Sequence, residues 1–257
     1  MEKTGLKKEL FFTGQIELSF VIPAYNEEVF IEDTLGTLDS VFKKKMNQYE
    51  IVVVDDGSQD KTFKKALQYA NRNGHVKVIR FARNTGKGFA IKTGVLESTG
   101  DAVIFIDGDM EIDFNTISKY VDALENADIV IATKWHNDST VSMPFSRKLL
   151  SRTFNVMVRI LIGFNLKDTQ VGLKVIKRSA VDKIFPRLSV KRYAFDVELL
   201  ALAHLYGLKI VELPVKLKLA SSFKPKDAWH MFVDLLGIAY RLRIIRWYQR
   251  QFYSLEK

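Results

Sequence analysis

The sequence predicts an α/β fold, a mostly parallel sheet flanked by helices, and two observations predict it. Short apolar runs rich in Val and Ile, too short for helices, alternate with stretches of helical periodicity, and run after run ends in a polar cluster. No internal repeat or low-complexity linker divides the 257 residues, and a hydrophobic content of 47% suffices for one sizeable core.

The elements follow in order. Residues 1 to 15 form a polar leader with an apolar knot, Leu10-Phe11-Phe12, suited to packing on the body. Ile16 to Ile22 reads as a first strand stopped by Pro23, and Asn26-Glu27-Glu28 leads into a helix from about Val29 to Phe42. A second strand, Ile51 to Val54, runs into Asp55-Asp56-Gly57-Ser58-Gln59-Asp60-Lys61-Thr62 and a helix over Phe63 to Asn73, for which Asp55 is a candidate N-cap. Val76 to Phe81 makes a third strand. Asn84-Thr85-Gly86-Lys87-Gly88 then opens a helix over Phe89 to Ser98, and its glycines and lysine at a helix start suit an anion.

The fourth run, Ala102 to Ile106, ends in Asp107-Gly108-Asp109-Met110-Glu111. Carboxyl ends of parallel strands are where α/β sheets bind ligands, and Gly108 is expected to turn the chain so that Asp107 and Asp109 converge. Carboxylates gathered there repel one another unless a cation neutralises them, and hard oxygen donors suit Mg²⁺ or Mn²⁺. A solvated acidic turn is the alternative. Beyond it come a helix over Thr116 to Asn126 and a strand over Asp128 to Thr133 that ends at Lys134. Right-handed crossovers would stack these strands into one sheet with the polar clusters along one edge.

In the second half, Phe145 to Phe164 reads as a helix with Lys148, Arg152, Asn155 and Arg159 on one stripe and Leu149, Leu150, Phe154, Met157, Ile160 and Leu161 on a wide apolar face. Val190 to Tyr206 reads as another helix, placing Asp196 and Glu198 on different faces. Lys209 to Leu219 reads as a strand, with Pro214 pointing to a sheet edge. Asp227 to Phe252 is a last amphipathic helix with Arg243, Arg246 and Arg250 along one side. The expected division is a catalytic domain over 1–224 and a C-terminal amphipathic, membrane-associating segment over 225–257.

Composition excludes several classes. Without cysteine there is no disulfide and no thiolate metal site, and the four histidines lack ligand spacing. No Gly-x-Gly-x-x-Gly follows the first strand and no P-loop order surrounds Lys87, which weighs against a dinucleotide enzyme or a P-loop nucleotidase. A net charge of +9 asks for an anionic partner. Because the basic residues lie on helices with broad apolar faces, membrane lipid fits and nucleic acid does not. No apolar run reaches the length of a spanning helix, so the chain is expected to sit peripherally.

Four segments together, Val21-Ile22-Pro23-Ala24-Tyr25-Asn26-Glu27, Val54 to Thr62, Asn84 to Gly88 and Asp107-Gly108-Asp109, resemble the inverting family 2 glycosyltransferases of GT-A fold. Asp168-Thr169-Gln170-Val171-Gly172-Leu173-Lys174 and Tyr193-Ala194-Phe195-Asp196-Val197-Glu198-Leu199 resemble the dolichyl-phosphate sugar synthases, nearer the glucosyl than the mannosyl branch. The resemblance implies transfer of one hexose from UDP-glucose or GDP-mannose to a polyprenyl (dolichyl) phosphate at the cytoplasmic membrane face. It implies Pro23, Tyr25 and Glu27, with Val54 and Asp56, around the base and ribose; Lys87 adds to this nucleotide-sugar site. It implies Asp107, Gly108 and Asp109 at the metal and diphosphate, with Asp109 the direct ligand; Glu111 is either a third ligand or faces solvent. Lys134 and Arg147 fall near positions for the acceptor phosphate or are solvated basic residues, and the equivalent role of Lys218, Ala220 or Lys224 is in doubt. A phosphate monoester, with a second pKa of roughly 6, needs no strong base, so Asp168 and Asp196 are candidates for orienting the acceptor. The competing expectations are a soluble or polysaccharide acceptor, and a non-catalytic nucleotide-binding protein that docks at membranes.

Overall fold

A computed structural model describes residues 17–44, 48–108, 112–164, 166–218 and 225–253. Its main sheet uses β1 (Leu18–Ala24), β2 (Tyr49–Asp55), β3 (Val76–Arg80), β4 (Ala102–Phe105), β5 (Ile129–Thr133), β7 (Lys174–Lys177) and β8 (Ile210–Pro214), and a small second sheet pairs β6 (Thr140–Ser142) with β9 (Lys216–Lys218). The seven strands lie in the order β3-β2-β1-β4-β7-β5-β8. β1 to β4 are parallel, as are β5 and β8, while β7 runs antiparallel between β4 and β5. The central strands are apolar on both faces, so each face builds its own core. Val21, Val52, Val54, Val103 and Phe105 face one way. Phe20, Ile22, Ile51, Val53 and Ile104 face the other.

Helices α1 (Ile31–Phe42), α2 (Thr62–Ala70) and α4 (Ile117–Ala123) cover the second face, and Ile31, Leu35, Leu38 and Phe42 of α1 form the inward stripe that its periodicity demands. The first face is covered by α3 (Lys87–Leu96), α5 (Phe145–Ile162), α6 (Arg178–Ile184), α7 (Phe195–Leu205) and α8 (Pro225–Ala239), with Tyr248 of α9 (Trp247–Tyr253) also fully enclosed. Met231, Leu235 and Ile238 of α8 belong to the same core as the sheet. Each such burial contributes on the order of 1.5 to 3 kcal/mol.

Several elements depart from the periodicity reading. β7 is an additional strand, and the expected helix over Val190 to Tyr206 starts only at Phe195; the stretch before it is tied back to the helix by the Ser189 and Val190 N–H groups, which donate to Glu198. The strand expected over Lys209 to Leu219 divides at Val215, whose N–H donates to Ser139 Oγ, and β8 lies at the sheet edge as Pro214 requires. Asn155 is not on the solvent stripe of α5: it is buried and its Nδ2 donates to the Lys167 carbonyl at 3.1 Å. The final helix is broken by a π-helical turn over Tyr240–Ile244 and by Arg246 at φ 49°. Leu10-Phe11-Phe12 lies outside the described residues.

Candidate active site

The polar clusters meet where the parallel strands end. After β2, Asp56 is nearly enclosed, and its carboxylate accepts from the Thr85 N–H and Oγ1 (2.7 Å each) and the Gly86 N–H (2.8 Å). The loop so held needs Gly86, which sits at φ 109° with the Lys191 carbonyl 2.4 Å from where a Cβ would be. Lys87 then starts α3, and its Nζ lies 2.5 Å from Asp107 Oδ1 at the end of β4. A two-carboxylate-oxygen contact at Asp56 thus aims a cation at the acid that follows the fourth strand.

The other wall of Asp107 is the loop from Asp168 to Gly172. A Cβ on Gly172 would stand 2.1 Å from Asp107 Oδ2, so only hydrogen fits there. Asp168, fully buried, accepts the Lys134 N–H at 3.1 Å and the Gln170 N–H at 3.0 Å, and pairs with Lys134 Nζ at 3.3 Å. Glu212 on β8 accepts the N–H groups of Lys167 (2.9 Å) and Asp168 (3.2 Å), and burial raises its pKa. Because β7 is antiparallel, its first residue, Lys174, also reaches this edge, opposite Phe105. Lys174 Nζ lies 2.6 Å from Asp196 Oδ1, donates to the Val171 carbonyl at 2.8 Å and stands 5.4 Å from the centre of the Phe105 ring. Asp196 and Glu198 diverge as expected: Glu198 is turned into the core, accepting from Ser189, Val190 and Tyr248.

Asp56, Lys87, Asp107, Gly172, Lys174, Asp168 and Asp196 are therefore linked around one edge. Three expectations are corrected. Val54 is fully buried with its side chain in the core, so it offers no side-chain contact to a base. Gly108 is not in the left-handed region and a Cβ there would meet only ordinary contacts; the turn is held instead by Thr34 Oγ1 donating to the Gly108 carbonyl at 2.8 Å. The Lys134 side chain is 7% exposed and pairs with Asp168. The helix after β2 is opened by Asp60, which accepts the Thr62 N–H at 2.9 Å, while Asp55 pairs with Arg80 at 3.2 Å.

Pro23 lies in β1 beside Val54, Tyr25 is exposed just beyond it, and the Glu27 N–H donates to Thr62 Oγ1 at 2.7 Å. Arg147 is on the first turn of α5. Asp109 and Glu111 lie outside the described residues, as do Ala220 and Lys224; Lys218 is in β9. Among the described residues no three acids or histidines gather as a metal cluster. Asp107 is a partly exposed hard oxygen donor, which fits Mg²⁺ or Mn²⁺ when a diphosphate supplies further oxygens. Gly172 and Lys174 lie in the segment that carries the family resemblance, but no role was read for either; a Lys two residues after a lone glycine gives no signal without the antiparallel strand that places it.

Two helices carry outward apolar stripes. On α5, Phe145, Leu149, Val156 and Ile160 are exposed while Phe154, Val158 and Ile162 are buried. On α8 and the turn after it, Trp229, Val233, Leu236, Tyr240 and Ile244 are exposed at helical spacing. No helix among the described residues is long and apolar enough to cross a membrane.

The model of the glycosyl transferase family 2 domain matches residues 19–185. A dolichyl-phosphate β-glucosyltransferase of Dictyostelium discoideum is 34% identical over 215 residues, 78% of this chain and 66% of its own length. Those of Mus musculus and Homo sapiens are 34% and 33% identical, covering 91% and 90% of this chain and 78% and 77% of theirs. Among solved structures, glucosyl-3-phosphoglycerate synthase from Mycobacterium tuberculosis in complex with UDP superposes with a TM-score of 0.68 at 20% identity, over 87% of this chain and 80% of that one. The same enzyme in complex with Mn²⁺, UDP-glucose and phosphoglyceric acid gives 0.66 at 20% identity, over the same 87% and 80%. At that identity the likeness is one of fold.

Proposed function

Since the chain belongs to glycosyl transferase family 2, we propose that it moves glucose from UDP-glucose to dolichyl phosphate, releasing UDP. What carries this reading is kinship above 30% identity, over most of the chain, with dolichyl-phosphate β-glucosyltransferases. The geometry supports it. A phosphate oxygen of the acceptor attacks the anomeric carbon as the bond to the diphosphate breaks, and a single displacement inverts the α-linked donor to a β product. Negative charge grows on the leaving diphosphate, and Lys87, held at Asp107, is the cation on that side. Asp56 serves by fixing the loop that carries Lys87.

Asp107 would hold a divalent ion together with Asp109 and Glu111, and the ion would neutralise the diphosphate. The acceptor is already ionised near neutrality, so Asp196, fixed by Lys174, has only to orient it. Asp168 acts as a positioning residue that holds Lys134 and the loop against Asp107. Pro23, Tyr25 and Glu27 are proposed around the base and ribose, and Arg147 at the acceptor phosphate. A polyprenyl tail stays in the bilayer because each buried methylene is worth about 0.8 kcal/mol, so the enzyme must come to it. The exposed stripes of α5 and α8 are proposed to make that peripheral contact at the cytoplasmic face.

Purified protein given Mn²⁺, a short polyprenyl phosphate and either UDP-glucose or GDP-mannose should form lipid-linked glucose from the first. Mannose transfer alone overturns the sugar assignment, and nucleotide binding without turnover overturns the enzyme. Asp109→Ala should abolish turnover while circular dichroism reports a folded chain.

A further inference from the structure

We propose a second anion site, remote from sugar transfer, that takes the phosphate headgroup of an anionic phospholipid. It rests on the peripheral membrane reading above and gives that contact a chemical specificity. The groove, of about 800 Å³, lies between the ends of α5 and α7 and the chain after α8, and its lining combines apolar Ile162, Phe164 and Leu205 with Arg243, Arg246 and Arg250. It is at the far end of α7 from Asp196, about 12 Å along the axis from Asp196 to His204.

Three features show that the arginines are gathered for an anion. First, Arg246 adopts φ 49° two residues after a π-helical turn ends, two costly conformations close together that a plain amphipathic helix would avoid. Second, the Arg243 guanidinium lies over Gly163, the glycine at φ 91° that ends α5, which places that head group at the end of the helix beside the apolar lining. Third, among the described residues none of the three has a carboxylate at ion-pair distance, whereas neighbouring Arg241 is directed inward to Tyr248 Oη (2.8 Å) and Glu198 (3.7 Å). Guanidinium forks match phosphate oxygens, and the apolar wall offers a place for the first carbons of the lipid. The outward stripe of α8 runs to this groove, ending at Ile244, 71% exposed. A bilayer surface is the occupant that presents apolar chains and phosphate side by side.

The test is co-flotation of the full chain with phosphatidylcholine vesicles, with and without phosphatidic acid. Arg243→Gln with Arg250→Gln should weaken binding to the acidic vesicles roughly thirtyfold, about fivefold per arginine, and leave binding to neutral vesicles unchanged. Arg246→Gly, which suits a positive φ and so keeps the fold, should lose about fivefold by the same measure. Glucose transfer to a detergent-dispersed acceptor should stay at the wild-type rate in both. The proposal is overturned if these variants keep the preference for phosphatidic acid, or if the charge-matched pair Lys148→Gln with Arg152→Gln, exposed on α5, loses as much of it. Trp229→Ser with Ile244→Ser probes the underlying reading separately. Unchanged binding to neutral vesicles rejects the apolar contact while the arginine variants still report on the groove.

Discussion

Gly172 has no room for a side chain, because the Asp107 carboxylate occupies the place of its Cβ. Gly172→Ala must therefore displace Asp107 from the position in which it meets Lys87, and a displacement of about 1 Å at a reacting centre costs on the order of a hundredfold in rate. Steady-state glucose transfer should show that loss in kcat with little change in melting temperature. Lys174 and Asp196 are a different case, a pair in which both side chains are nearly enclosed. Lys174→Met strands the Asp196 carboxylate and should cost about 3 to 5 kcal/mol in urea unfolding. Adding Asp196→Asn should recover part of it. Lys174 ends the segment that carries the family resemblance, yet its pairing was not legible, because that depends on a partner 22 positions away in another element.

At the scale of elements, Glu212 on β8 is what anchors the loop leading to Asp168. Its pKa is raised above 4.5 by desolvation, so the folded chain keeps a proton there that the unfolded chain has released. Its contribution to stability is complete below about 4.5 and is lost as pH climbs through the higher native value. Glu212→Gln can still accept the backbone bonds without the buried charge, so its melting temperature should gain on the wild type as pH is raised from 4.5 toward neutrality, in a series of thermal melts. Strand after strand of the parallel sheet was legible, because Val- and Ile-rich runs such as Ile51 to Val54 have no other use. β7 was not: Lys174–Lys177 is four residues long and flanked by charge, and only its neighbours make it a strand. The sides of α5 were half legible, since periodicity marks a wide stripe without saying that Asn155 finds the Lys167 carbonyl inside. The placing of Asp107 at the edge where the parallel strands end was legible, and the Asp56 hold on Thr85 and Gly86 was not, because it is a loop-to-loop contact.

For the molecule as a whole, one face of the sheet depends on the last helices. Met231, Leu235, Ile238 and Tyr248 fill the same core as Val54 and Phe105, and Tyr248 donates to the buried Glu198 that also ties down Ser189 and Val190. Truncation after residue 224 should therefore expose that core, and circular dichroism should show cooperative unfolding lost or moved to much lower temperature. A chain that merely shed a membrane tether would melt as before.

The reversed β7 also sets a timetable. Strands β1 to β4 are complete in the chain by residue 105 and β5 by residue 133, yet within the described sheet they are hydrogen-bonded into one through a strand that ends at Lys177. While the chain is being synthesised, β4 and β5 each keep an open border, the kind of edge at which unfinished chains join to one another. One short strand, arriving late, closes both borders in the same step and seats Lys174 beneath Phe105 as it does so.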